Sequence, residues 1–282
     1  MFMPAIIYIV ALVGVPFLMA FVYSVGDVKV GSEGYHFVGL HNFRNVLRNP
    51  TFLLALRNSF LFTIISQILV LISASMLSLA LKSAFPGRRF FRFLILLPWV
   101  APVSIGSIGW KWILDSLYSV INWVLVRFHF VSQFDTPVWL GEPKLAMMSV
   151  ILVHTWHMMP FATVILLAGL TAIPKDITEA AAVDGSGFFR TQFQIILPMM
   201  LPIISVAVLF GAIFTFTDMT VIYILTRGGP YDTTQVIPSL AFFTGILGSD
   251  LAEGAAISIF MVPLLVIATY FVLRQAHRAE VT

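Results

Sequence analysis

The chain has 282 residues, of which 59% are hydrophobic and only 10% charged, with a formal net charge of +3. So little charge cannot keep the surface of a soluble domain of this length in water. No Lys/Arg cluster interleaves with aromatics as a nucleic-acid surface requires, and the absence of Cys excludes both disulfides and thiolate metal sites.

The apolar runs reach roughly 20 residues or more, the length needed to cross a hydrocarbon core of about 30 Å. Six membrane spans are predicted, over residues 4–25, 56–81, 91–110, 145–171, 195–217 and 254–273. Each is expected to be helical, because lipid offers no partner to a backbone N–H or C=O. The fold class is therefore all-α, a single polytopic membrane domain over residues 1–282.

The first run has neither the basic flank nor the small-x-small site of a cleaved signal peptide, so it is expected to remain as a span. It starts almost at Met1, which implies a truncated start or a very short tail. In the loop that follows, Phe43, Val46 and Leu47 form a short amphipathic pattern suited to the membrane interface. Span two carries Gln67, Ser73, Ser75 and Ser78. Residues 111–144 mix Trp112, Trp123 and Trp139 with charges, as an interfacial aromatic belt does.

Span four carries His154, Thr155, His157 and Thr163, with Pro160 placed to kink the helix. The two His residues are three apart on one helical face, half of a metal site, but no second ligand pair accompanies them. A hydrogen-bonded pair lining a path is the better reading. Thr215, Thr217 and Asp218 close span five. Ser and Thr can satisfy themselves on a carbonyl one turn back, whereas His and Asp inside a membrane call for a cavity or a partner.

Between spans four and five, residues 174–194 read as two short helices. Pro174 suits a first turn, Asp176 and Glu179 suit its positive end, and Gly185 suits a left-handed stop. Ala180, Ala181 and Ala182 would leave a narrow ridge for a groove on another protein.

The sixteen Lys and Arg divide eight and eight between the two sides of the membrane. The set on the 82–92 and 174–194 loops and the carboxyl terminus is packed into much shorter segments with fewer acids, which places both termini in the cytoplasm.

Glu179-Ala180-Ala181, three residues, Gly185, nine residues, Ile195, one residue, Leu197-Pro198 resembles the EAA loop of binding-protein-dependent ABC importer permeases. His154 to Pro160, Gly169 to Pro174, Leu225 to Pro230 and Phe37 to Phe43 resemble the MalF-type sugar permeases of that family. The resemblance implies a type I importer permease fold in the cytoplasmic (inner) membrane of a prokaryote. It implies a coupling helix whose Glu179, Ala180, Ala181, Asp184 and Gly185 meet an ATP-binding subunit. It implies a second homologous permease, two ATP-binding subunits, an extracytoplasmic solute-binding protein and contact with membrane lipid.

No G-x-x-x-x-G-K-[ST] loop occurs, so no cofactor is expected on this chain, and ATP and Mg belong to the partner subunits. By the same resemblance, substrate contacts fall at His154, His157, Met158 and Phe161 and at Gly211, Phe214, Thr215 and Asp218. The chain departs from the family at most of these positions and retains aromatics at Phe161 and Phe214. Hydroxyl-bonding groups beside aromatic faces suit a carbohydrate, a disaccharide or short oligosaccharide. Asp218 would repel a free phosphate. The competing readings are a permease for glycerophosphate-type solutes and an ion-coupled secondary transporter. A membrane enzyme would want clustered His, Asp and Glu such as H-E-x-x-H, which does not occur.

Overall fold

The computed structural model describes residues 3–32 and 34–281. The apolar runs are helical, as a backbone with no partner but itself must be. In chain order the helices are α1 (Met3–Ser24), α2 (His41–Arg48), α3 (Pro50–Lys82), α4 (Arg88–Val100), α5 (Val103–Ile113), α6 (Val120–Arg127) and α7 (Pro143–Ala172). α8 (Lys175–Val183) precedes α9 (Phe188–Leu225), which passes through a π turn at Thr191–Ile196 and is interrupted at Asp218 and Met219. α10 (Ile237–Leu247) follows, and α11 runs over Leu251–Ile259 and Met261–Val281. A short hairpin pairs Gly26 with Phe37 and Asp27 with His36 between α1 and α2.

Among the described residues, α1, α3, α7, α9 and α11 are long and apolar enough to cross a bilayer. The span predicted over 91–110 is not one straight helix. α4 and α5 meet there at 94°, so the count of six holds with this bent pair taken as one span. The cause is local: Pro102 brings no N–H, and it holds Ala101 in an extended conformation (φ −68°, ψ 142°) that ends α4.

α3 shows how the bundle sorts its residues. Ile64, Ile68, Ile72 and Met76 recur at helical spacing on an exposed, lipid-directed face, while Phe62, Ser66, Val70 and Ala74 are buried on the other. That inner face packs along α7, where Ala162 and Leu166 meet Val70 and Ala74. Small residues bring the backbones close, which is the main source of helix attraction in lipid. Gly169 of α7 likewise admits Ile203 and Met200 of α9, since a Cβ there would lie 2.7 Å from the Ile203 side chain.

At the end of the bundle away from α8, a polar clasp ties the 226–236 loop to α3. The Asn58 amide donates to the carbonyls of Thr233 and Gln235, both at 3.0 Å, and the Ile237 N–H donates to Ser59 Oγ at 2.9 Å. Thr226 and Thr234 bond hydroxyl to hydroxyl at 2.7 Å within the loop. α10 then crosses α11 at Gly245 and Gly254, where a Cβ on Gly254 would collide with the Gly245 Cα.

That crossing has no room to give, because the neighbour is backbone. Gly254→Val is expected to destabilise the chain by about 1–3 kcal/mol or more through overpacking, read as a lower thermal midpoint in detergent. Gly109→Ala, whose new methyl would meet nothing within 4 Å, is the control and should leave that midpoint nearly unchanged.

Candidate functional site

The site begins with a carbonyl that its own helix cannot satisfy. In an unbroken helix the Pro98 C=O would accept from residue 102, but residue 102 is proline. His157 of α7 takes the place of that donor, with Nδ1 2.7 Å from the Pro98 oxygen. The bond fixes the proton on Nδ1 of the neutral ring and leaves Nε2 as an acceptor.

One residue on, the Trp99 indole stacks against His157 (centroids 5.5 Å apart, planes 29°) and against Phe161 (4.9 Å, 26°). Phe214 of α9 meets Phe161 edge-on at 5.7 Å and lies 6.3 Å from Trp99. Three helices thus contribute to one aromatic cluster, and Phe214 is its most exposed member, at 41%.

The second break, at Asp218 and Met219, supplies the polar side. Asp218 Oδ1 accepts from the Thr220 N–H at 2.8 Å and so starts the last segment of α9. The other carboxylate oxygen lies 3.6 Å from His154 Nδ1, too far for a hydrogen bond but close enough for attraction. The buried His154 ring packs on Phe62, and its Nε2 is 2.9 Å from Thr215 Oγ1. A carboxylate beside Nδ1 favours the proton there, so the Thr215 hydroxyl donates to Nε2.

Of the positions expected to contact substrate, the fold brings His154, Thr215 and Asp218 into one polar group and His157, Phe161 and Phe214 into the aromatic one. The two His residues do not share a partner: His154 turns to α9 and His157 to α4. Met158 and Gly211 fall elsewhere. Met158 is buried in the packing between α3 and α7, and Gly211 is roofed by the Gln67 amide, which leaves no space for a Cβ. Ser78, Thr163 and Thr217 bond carbonyls in the preceding turn, at 2.9, 2.8 and 2.8 Å, as their side chains allow. Trp99 was not among the expected residues. Its signal lay in Pro98 and Pro102, spaced four apart around a Trp in mid-span.

The 174–194 segment forms the other candidate surface. α8 is nine residues long and ends in a Schellman motif: Ser186 N–H bonds the Ala181 C=O at 2.9 Å and Gly185 N–H bonds that of Ala182 at 3.1 Å. Gly185 has φ +74°, the left-handed conformation its position called for. Pro174 sits at the N-cap rather than within the first turn. The second short helix is not separate, since Phe188–Arg190 runs through the π turn into α9. Glu179, Ala180, Asp184 and Gly185 are exposed, whereas Ala181 is buried and Ala180 and Ala182 flank it on opposite sides, so the three Ala do not form the expected single ridge. Val183, Phe188 and Phe189 add exposed apolar surface beside them.

Residues 71–280 match the family described as binding-protein-dependent transport system inner membrane component. The chain is 34% identical over 238 residues to a trehalose/maltose transport system permease protein of Thermococcus litoralis, covering 84% of this chain and 79% of that one. It is 26% identical over 282 residues to a diacetylchitobiose uptake system permease protein of Streptomyces coelicolor, covering 99% and 86%. In fold it resembles a chain of the bacterial alginate ABC transporter solved with a periplasmic protein carrying an alginate pentasaccharide. That match has a TM-score of 0.82 at 20% identity, over 99% of this chain and 93% of the other.

The bond between His157 and Pro98 can be isolated with a double-mutant cycle. His157→Phe should destabilise the chain by about 1–3 kcal/mol, because it leaves a partly buried carbonyl unpaired in the membrane. Adding Pro102→Ala restores a backbone donor one turn on and should recover part of that loss in a detergent unfolding curve. Additive losses from the two changes would show that the carbonyl was not what His157 satisfied.

Proposed function

This chain belongs to the binding-protein-dependent transport system inner membrane components and is a permease subunit of the sugar-importer type; we propose that it passes a neutral disaccharide or short oligosaccharide across the cytoplasmic membrane by alternating access. The observation that carries this reading is the joining of hydroxyl-bonding groups and aromatic faces at the two helix breaks, inside an otherwise apolar bundle. A sugar needs both: acceptors and donors for its hydroxyls and an aromatic surface for the apolar side of its ring. Asp218, backed by the buried His154–Thr215 pair, offers the first, and His157, Phe161 and Phe214 the second.

Charge narrows the solute. Asp218 is the ionisable acid of the site, and no Lys or Arg stands among its contacts within the described residues. A carboxylate with no Lys or Arg beside it disfavours a phosphate and accepts a sugar hydroxyl, so a neutral saccharide fits better than a glycerophosphate-type solute.

The energy enters at α8. Its exposed Glu179, Ala180, Asp184 and Gly185 form the docking surface for one of two ATP-binding subunits, which hold ATP and Mg. A second homologous permease completes the channel, and an extracytoplasmic solute-binding protein delivers the solute to the face opposite α8. The structural relative solved with a saccharide-bearing periplasmic protein supports that delivery. In this arrangement both termini lie in the cytoplasm. Because α8 leads directly into α9, a displacement of α8 by its ATPase moves Phe214, Thr215 and Asp218 against α7, opening the pocket first to one side and then to the other.

Two outcomes follow in a reconstituted transporter. Phe161→Ala and Thr215→Ala should each lower saccharide uptake about tenfold or more while basal ATPase activity and assembly stay intact; normal uptake in both would place the pocket elsewhere. Glu179→Lys should abolish co-purification of the ATP-binding subunit, whereas uptake that persists without that subunit would favour an ion-coupled transporter.

A further inference from the structure

Trp99 packs with Phe161 against the core between α3 and α7, yet packing leaves part of its indole open. It sits about 17 Å along α4 from Arg88 at 1.5 Å per residue, deep in the bilayer rather than at the interface where Trp is enriched. The indole is half-buried, stacked on His157 and Phe161, and so is fixed in orientation with part of its surface uncovered. Its Nε1–H has no acceptor among the described residues, yet it is not enclosed as the unpaired Thr155 and Ser66 hydroxyls are. Trp139, by contrast, donates its Nε1–H to Asn122 at 2.8 Å, as a Trp serving the fold does.

A held aromatic face with a free donor, in the middle of a membrane, is arranged for a ligand that brings both an apolar face and an acceptor. We propose that Trp99 contacts the transported saccharide directly, stacking on the ring and donating Nε1–H to a ring or hydroxyl oxygen, and so sets a preference for cyclic sugars over open-chain polyols. The proposal rests on the sugar-permease reading above and adds a residue and a selectivity to it. The elbow makes the contact possible. Pro102 turns the chain through 94° just beyond Trp99, and the bond from His157 to Pro98 holds the adjoining residue.

The test uses the complete transporter with its binding protein in proteoliposomes, and whichever of trehalose, maltose or diacetylchitobiose the wild type imports. Trp99→Ala should raise the apparent KM for uptake or lower its rate about tenfold, and should narrow the discrimination against an acyclic polyol. Trp99→Phe keeps the stacking ring without the donor and should fall between the two, within about threefold of wild type. Basal ATPase activity should be unchanged in both. The saccharide should also change the tryptophan fluorescence of the wild type more than that of Trp99→Phe, a difference a purely structural Trp would not give.

Normal uptake and selectivity in Trp99→Ala, with uptake still lost in Phe161→Ala, would overturn the role of Trp99 and leave the sugar pocket standing. An equal fluorescence response in wild type and assembled Trp99→Phe would overturn it as well, even if Trp99→Ala failed to assemble. Import of none of the three saccharides by the wild type would remove the reading on which the proposal rests.

Discussion

Lipid supplies no hydrogen bonds, and the architecture of this chain follows from that one fact. A backbone group left open in the hydrocarbon costs several kcal/mol, so helices run unbroken unless side chains take over the orphaned positions. Two breaks occur in the spans that surround the candidate site, and both are repaired in this way. At Pro102 the lost donor is replaced by His157, and at Asp218 the carboxylate receives the first free N–H of the next segment. The residues that repair the breaks, His157 and Asp218, also belong to the aromatic and polar groups of the candidate site. A polar site in a membrane is thus obtained from the requirements of the backbone itself.

The strength of the side-chain bonds around these breaks suits the alternating access proposed for the chain. Polar pairs between membrane helices contribute about 0.6 kcal/mol on average and seldom more than about 2, so the bond between His154 and Thr215 orients α7 and α9 without locking them. The opposite end of the molecule is built differently. There Asn58 and Ser59 together satisfy three backbone groups of the 226–236 loop and its exit, and Gly245 and Gly254 bring two helices into backbone contact. A clasp at the end away from α8 and a loosely bonded centre suit the proposed transmission of a push from α8 along α9.

Much of this was legible in the sequence, and the omissions have physical causes. Hydropathy located every span, though not the full length of each helix, because length and greasiness are what the bilayer selects. Gly185 was legible because a left-handed stop leaves few residue types to choose from. The elbow at Pro102 was not read, since hydropathy averages side chains and ignores backbone donors, although the two prolines stood in view. Helix rotation was the other gap. Spacing put His154 and His157 on one face, yet each reaches a different neighbour, and Met158 and Gly211, assigned to the pocket through family resemblance, turn into packing contacts instead. Which way a residue points depends on the neighbouring helices, and no single helix records that.

The central claim is that the cluster formed by α4, α7 and α9 lines a water-accessible path for a sugar. Since the chain contains no Cys, single thiols can be placed without background. Phe214 and Ile68 have similar exposure in the chain, 41% and 52%, but only Phe214 belongs to the cluster. In the assembled transporter, a membrane-impermeant maleimide should label Phe214→Cys, the imported saccharide should slow that labelling, and Ile68→Cys should stay unreactive in lipid. Equal labelling at the two positions, or labelling of Phe214→Cys that the saccharide leaves unchanged, would contradict the account.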